Sequence, residues 1–143
     1  MTAAAAFLFK TEPSAFSFEM LEREQSALWD GVTNAAALIH LRTVRRGNAI
    51  FIYHTGDEKS VVGLARATAD ASEDPNRPGK NDRGEPKFAV VRLEPLRRLR
   101  APVSLATIKA DARFQDFGLV RQTRLSVMPV PPALAKAMLE LGG

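Results

Sequence analysis

The chain has no cysteine, which excludes a disulfide scaffold, a thiol nucleophile and a thiolate metal site. The absence leaves the compartment open, because exported proteins can lack cysteine too. Two histidines, His40 and His54, are too few for a histidine-rich metal cluster. No run approaches the roughly 20 apolar residues of a membrane span. The opening stretch from Met1 to Phe9 is apolar, but it lacks a basic region and runs straight into Lys10-Thr11-Glu12-Pro13, unlike a secretory signal. A cytoplasmic location is therefore expected, with no membrane partner. Repeats, low-complexity tails, metal-ligand spacings, phosphate-cradling glycine loops and nucleophile elbows are also missing. A serine, His54 and an aspartate assemble into a triad on paper, yet any domain with a few of each permits that. The expectation is a protein that is not an enzyme, with no metal and no cofactor.

What is there fits one domain, residues 1–143, long enough to bury a real core without staples. Twenty basic residues stand against sixteen acidic ones, with a sequence pI near 9.9. That balance suits a partner carrying negative charge, of which nucleic acid is the commonest, but an excess of four raises that reading only slightly. Trp29 is the only tryptophan, and it enters the turn signal Asp30-Gly31 and the polar run Val32-Thr33-Asn34. A tryptophan so placed either plugs the core beneath a turn or offers a ring face to a planar ligand, with Asp30, Asn34 and backbone amides around it.

Taken in order, Ala6 to Phe9 reads as a buried strand with Lys10 at its mouth. Ser17 caps a helix through about Arg23 with Phe18 and Leu21 on one face, and Glu19 suits its first turn. Thr33 or Asn34 caps a second helix through about Val44, ended by Gly47, with Leu38 and Leu41 inward and His40 in solvent. Ala49 to His54 is the strongest strand, and Thr55-Gly56-Asp57 turns it into a hairpin with Val61 to Ala65. Tyr53-His54-Thr55 at that strand end is either a binding edge or ordinary strand termination. Asp74 to Pro86, rich in proline, glycine and charge, reads as a long exposed loop, a kind that is often functional. Phe88 to Leu93 resumes as a strand, Pro95 to Arg100 reads as a charged strand edge, and Ser104 caps a short helix through about Ala110. Asp111 to Gly118 is irregular or weakly helical, Val120 to Met128 a final strand, and Pro131 or Pro132 opens a last helix with Leu134, Ala137, Met138 and Leu141 on its apolar face. Strands with interspersed short helices and no regular alternation predict an α+β domain on a mixed barrel-like sheet.

Read together, Lys10-Thr11-Glu12-Pro13, Phe16-Ser17, Trp29-Asp30-Gly31-Val32-Thr33-Asn34, Tyr53-His54-Thr55, Gly63 and Arg121-Gln122-Thr123-Arg124-Leu125-Ser126-Val127 resemble, in order and across essentially the whole chain, the motifs of the EVE domain family. The resemblance implies a PUA-like mixed β-barrel flanked by short helices. It also implies a non-catalytic reader of modified bases in nucleic acid, DNA before RNA, with 5-methylcytosine or 5-hydroxymethylcytosine the leading candidates. An RNA-modification reader and a small-ligand-binding or enzymatic accessory domain are the alternatives. Carried onto this sequence, Trp29 walls the base pocket and Asp30, Gly31, Val32 and Asn34 shape its rim. Lys10, Thr11 and Ser14 come from the opposite motif, and Tyr53, His54 and Thr55 from the strand end beside it. Arg42, Arg45, Arg46, Arg121 and Arg124 are candidate phosphate contacts. Two features depart from the family pattern: Thr33 stands where arginine is usual, and residues 74–87 hold no aromatic, leaving Phe88 the nearest to the expected cage.

Overall fold

The computed structural model describes residues 6–143, so the first five residues of the apolar opening lie outside the described region. The chain runs β1 (Ala6–Thr11), α1 (Phe18–Glu24), β2 (Ala27–Trp29), α2 (Ala35–Leu41), β3 (Ala49–His54), β4 (Ser60–Ala67), β5 (Ser72–Glu73) and β6 (Ala89–Ser104). It continues through α3 (Leu105–Ala110), a single 3-10 turn (Ala112–Phe114), α4 (Gly118–Arg121), β7 (Val127–Val130) and α5 (Pro132–Gly142). β1 and β3 are near-continuous apolar runs buried on both faces, and they pair in parallel at the sheet centre. The remaining pairings are antiparallel, in the order β2-β6-β4-β3-β1-β7, with β5 added on β6.

The mixed sheet curls into a half-barrel. β6 supplies much of the curl, because its sixteen residues pass from β5 and β2 at one end to β4 from Leu93 to Ser104. The β4–β6 register slips between Val61 and Gly63 and again between Leu64 and Ala65, and such irregularities bend a strand and increase its twist. The core covers both faces of the sheet: Leu8 and Phe9 in β1, and Ile50 and Phe51 in β3, point alternately to its two sides and, with Phe18 and Leu93, are essentially inaccessible to solvent.

The helices begin where capping chemistry puts them. The Ser17 hydroxyl accepts from Met20 N–H, Asn34 Oδ1 from Ala37 N–H and Ser104 Oγ from Thr107 N–H, so each satisfies an orphan donor of its first turn. α2 ends at Leu41 rather than Val44, since Thr43 N–H and Val44 N–H turn back to His40 and Leu41 carbonyls in a tightened exit.

Three expectations are corrected. Pro95 to Arg100 is the middle of β6 and pairs with β4, so it is not a sheet edge; Pro95 sits beside the register slip, where a missing N–H is tolerated. Val120 to Met128 is not one strand. α4 occupies Gly118–Arg121, Leu125 N–H turns back to the Gln122 carbonyl, and only Val127–Val130 pairs with β1, because the buried Leu119 and Leu125 break the strand alternation. The loop after β5 is not wholly exposed. Asp74 is buried and accepts from Asn76 N–H at 2.9 Å and Arg77 Nε at 3.1 Å. The Asn76 N–H, against the opposing effect of burial, and then Arg77 hold its carboxyl below the usual range.

Candidate functional site

The end of β1, the turn after it, and the segment leaving β2 face one another across a cleft of about 480 Å³, within the roughly 300–1,000 Å³ typical of ligand sites. Trp29, the last residue of β2, is held in register opposite Val91 of β6. Its ring packs on buried Phe9 at 5.3 Å between centroids and meets Phe16 nearly edge-on at 6.0 Å. The tryptophan is therefore half-buried, both fixed on the core and part of the cleft wall.

Of the residues expected at the site, Lys10, Thr11, Trp29, Asp30, Gly31, Val32 and Asn34 line this one cleft. Gly31 turns the rim with φ +77°, a conformation that other residues adopt only at a cost. Asn34 Oδ1 is occupied in capping α2, so the group it offers the cleft is its Nδ2 donor. Thr11 Oγ1 donates to the Phe16 carbonyl at 2.6 Å, which closes the turn that brings Phe16 to Trp29. Lys10 Nζ donates to the Thr123 carbonyl at 3.0 Å, tying the 121–127 motif to β1 as the opposite lip, and burial pushes its ammonium pKa down.

Ser14 does not line the cleft. Its N–H and hydroxyl donate to Glu12 Oε1 and orient that carboxylate. Tyr53 is buried behind Lys10, with its ring centroid 5.9 Å from Nζ. Burial raises the Tyr53 hydroxyl pKa. Thr55 donates its N–H to the Thr11 carbonyl at 2.9 Å and its hydroxyl to Glu12 Oε2 at 3.3 Å, from outside the lining.

His54 is likewise buried away from the cleft. Its Nε2 accepts from the Phe18 N–H at 3.0 Å, which places the proton on Nδ1, 2.8 Å from Glu58 Oε1. The imidazole thus satisfies the first free N–H of α1. His54→Ala should leave that donor unsatisfied and cost about 1–3 kcal/mol. Thermal melting should show that loss, while the lining of the cleft, which His54 does not reach, stays unchanged.

The arginines are dispersed. Arg42 donates to the Pro86 and Lys87 carbonyls, and Arg45 to the Arg42 and Val44 carbonyls, both beside a second groove. Arg46 lies by Arg66 and Glu94, and Arg121 Nε donates to the Gln115 carbonyl at 2.6 Å. Arg124 lies in a separate hollow that shares Asn34 with the cleft.

Glu12, Ala15, Phe16, Leu28, Thr33 and Ser126 also line the cleft. Phe16 supplies the second aromatic that residues 74–87 lack. Two carboxylates, Glu12 and Asp30, and one ammonium, Lys10, reach the lining. That set does not concentrate positive charge, so it suits an uncharged planar ligand with exocyclic donors better than a phosphate. Among the described residues no three histidine, aspartate or glutamate side chains gather as a metal site requires, and no helix is long and apolar enough to cross a membrane.

Comparison with known proteins bears on this arrangement. The family model described as EVE domain matches residues 5–141. Thymocyte nuclear protein 1 of Homo sapiens is 26% identical over 152 residues, covering 87% of this chain and 68% of its own, and the Gallus gallus protein is 27% identical with 63% of its own length covered. The chain thus spans about two thirds of these relatives. The solution structure of Rpa0253 from Rhodopseudomonas palustris is 34% identical with a TM-score of 0.87 over 98% of this chain and 94% of that one. A crystal structure of the human THYN1 protein in complex with DNA containing 5-methylcytosine is 25% identical, with a TM-score of 0.85 over 97% of this chain and 98% of that one.

Proposed function

The chain belongs to the EVE domain family, and from that premise we propose that it reads a modified base, 5-methylcytosine or 5-hydroxymethylcytosine in DNA, flipped into the Trp29 cleft. The observation that carries this reading is the cleft itself: a fixed tryptophan, an edge-on phenylalanine and polar groups at the rim, in a chain similar over nearly its full length to a protein solved with 5-methylcytosine DNA. A base leaving a duplex gives up stacking and pairing worth a few kcal/mol, and an aromatic wall with edge-directed hydrogen bonds offsets that loss.

Each polar group has a matching partner on cytosine. A carboxylate accepts from the exocyclic N4 amino group, which Glu12 or Asp30 can do, and the Asn34 Nδ2 donor serves O2 or N3. Burying one methyl contributes about 0.8 kcal/mol, roughly fourfold in affinity, so any larger preference for the modified base comes from pocket fit and polar contacts. The reading is of binding without turnover: a modified oligonucleotide incubated with the protein should be recovered intact.

The test is a titration at fixed salt with single- and double-stranded DNA and RNA carrying unmodified, methylated or hydroxymethylated cytosine or N6-methyladenine, followed through the Trp29 emission. Modified cytosine in DNA should bind tightest and change the emission. Binding that ignores modification and leaves the emission unchanged refutes the reading. Asn34→Asp sharpens the test, since aspartate caps α2 as well as asparagine but supplies no donor to the cleft. Affinity should fall about tenfold for a lost hydrogen bond of roughly 1.4 kcal/mol, with the melting temperature nearly unchanged.

A further inference from the structure

Beside the base cleft lies a second, larger groove of about 670 Å³ between α2 and the 81–88 segment, and the two share Thr33 as a common wall. Four cations line it, Arg42, Arg45, Arg83 and Lys87, against one carboxylate, Glu85. Among the described residues none of the four forms an ion pair, whereas Arg66, Arg98 and Arg113 elsewhere on the surface are paired with Glu94, Glu22 and Glu140. Ile39 sits among them 59% exposed, and the Phe88 ring lies at the margin.

The groove is built rather than incidental. Arg42 Nε and Nη2 donate to the Pro86 and Lys87 carbonyls at 2.7 and 3.0 Å, clamping the returning loop against α2. Asn81 Oδ1 accepts from the Arg83 and Glu85 N–H groups, which fixes the turn that carries Arg83. Arg77 stacks at 4.3 Å on Phe88 and steadies the loop from within. The other hollow adjoining the base cleft, which shares Asn34 with it and is walled by the 122–125 segment, carries one cation, Arg124.

We propose that this groove takes the sugar-phosphate backbone and the adjoining nucleotide of the same strand whose base enters the Trp29 cleft, on one side of that base only. The proposal rests on the reader reading and adds a direction to it. Unpaired cations around an exposed apolar residue complement a phosphate next to a sugar or base face, and the four-to-one imbalance between the two hollows that adjoin the cleft gives the strand a preferred exit. Modification is then read together with the strand flank on that side.

The experiment compares 5-methyl-2′-deoxycytidine with single-stranded DNA tetranucleotides carrying 5-methylcytosine at the 5′ end or at the 3′ end, each with its unmodified counterpart, in the wild type and in Arg83→Ala/Lys87→Gln. Extension on one side should tighten binding at least tenfold at low salt and extension on the other about twofold or less. The double variant should erase the larger gain, flatten the log-log salt slope by about 1.4 for two lost single-strand phosphate contacts, and leave nucleoside binding unchanged. Equal gains on both sides, or a directional gain that survives in the double variant, overturns the proposal while modification-dependent nucleoside binding still upholds the reader. A directional, Arg83- and Lys87-dependent gain that ignores methylation supports the groove and sinks the reader instead. No binding by any of these probes overturns both.

Discussion

Replacing Trp29 by alanine should lower affinity for DNA with modified cytosine about 10- to 100-fold and collapse the preference for the modified base. Stacking on an aromatic side chain is worth roughly 1–3 kcal/mol per base, and within the cleft only Trp29 and Phe16 have rings to offer. Phe16 meets the tryptophan edge-on, so it braces that ring and does not replace its face. The same substitution removes the packing on Phe9, and truncating a large aromatic that is half in the core costs stability as well as binding. Trp29→Leu separates the two effects: leucine retains most of the apolar contact with Phe9 and has no extended ring for a base. Anisotropy of a labelled oligonucleotide, needed once the only tryptophan is gone, should show both variants losing selectivity while Trp29→Leu stays closer to the wild-type melting temperature. Selectivity retained in Trp29→Leu would move recognition away from the ring altogether.

How much of the site was legible follows from what kind of signal each residue carries. Trp29, Asp30, Gly31 and Asn34 announce themselves, because a lone tryptophan before a turn and a helix cap is readable locally. Glu12 and Ser126 carry no such mark. Their approach to the cleft depends on the β1–β7 pairing and on the turn that Thr11 closes on Phe16, contacts that no local pattern specifies. Phe16 had a signal, an aromatic within the second motif, but its partner lies thirteen positions away. Tyr53, His54 and Thr55 show the converse. A recurring motif can mark a structural demand as readily as a ligand contact, and His54 answers to Phe18 N–H and Glu58.

The fold was readable on the same terms. Strands with strong apolar content, β1, β3 and β4, fall where composition puts them, and so do the capped helices. The expected barrel is an open half-barrel in which β6 runs on through Pro95 to Ser104, since pairing with β4 overrides the local reading of proline and arginine as an edge. The segment from Val120 to Met128 misled for a related reason. Its apolar residues serve a helix, a turn and a strand in succession, and a short window averages the three.

Gly63→Ala should be the most destabilising of the glycine-to-alanine changes, by roughly 2–3 kcal/mol, or about 7–10 °C in melting temperature. Gly63 lies in β4 opposite both Ile52 and Arg98, and a Cβ there would stand 2.5 Å from the Phe18 ring, with three ring atoms inside 2.7 Å. Phe18 cannot yield. It is 1% exposed and is the first residue of α1, with its N–H held by His54. The absent side chain is therefore the seat on which α1 docks. Because the residues just before α1 form the turn that carries Phe16 to Trp29, pushing Phe18 outward also disturbs the cleft wall. Phe18→Leu in the Gly63→Ala background makes room for the added methyl, so the double variant should be more stable than the sum of the two single losses predicts, by about 1 kcal/mol or more in a double-mutant cycle. Equal melting temperatures for Gly63→Ala and the wild type would show that the ring has space to move, and would remove Gly63 from the set of residues that shape the cleft through the fold.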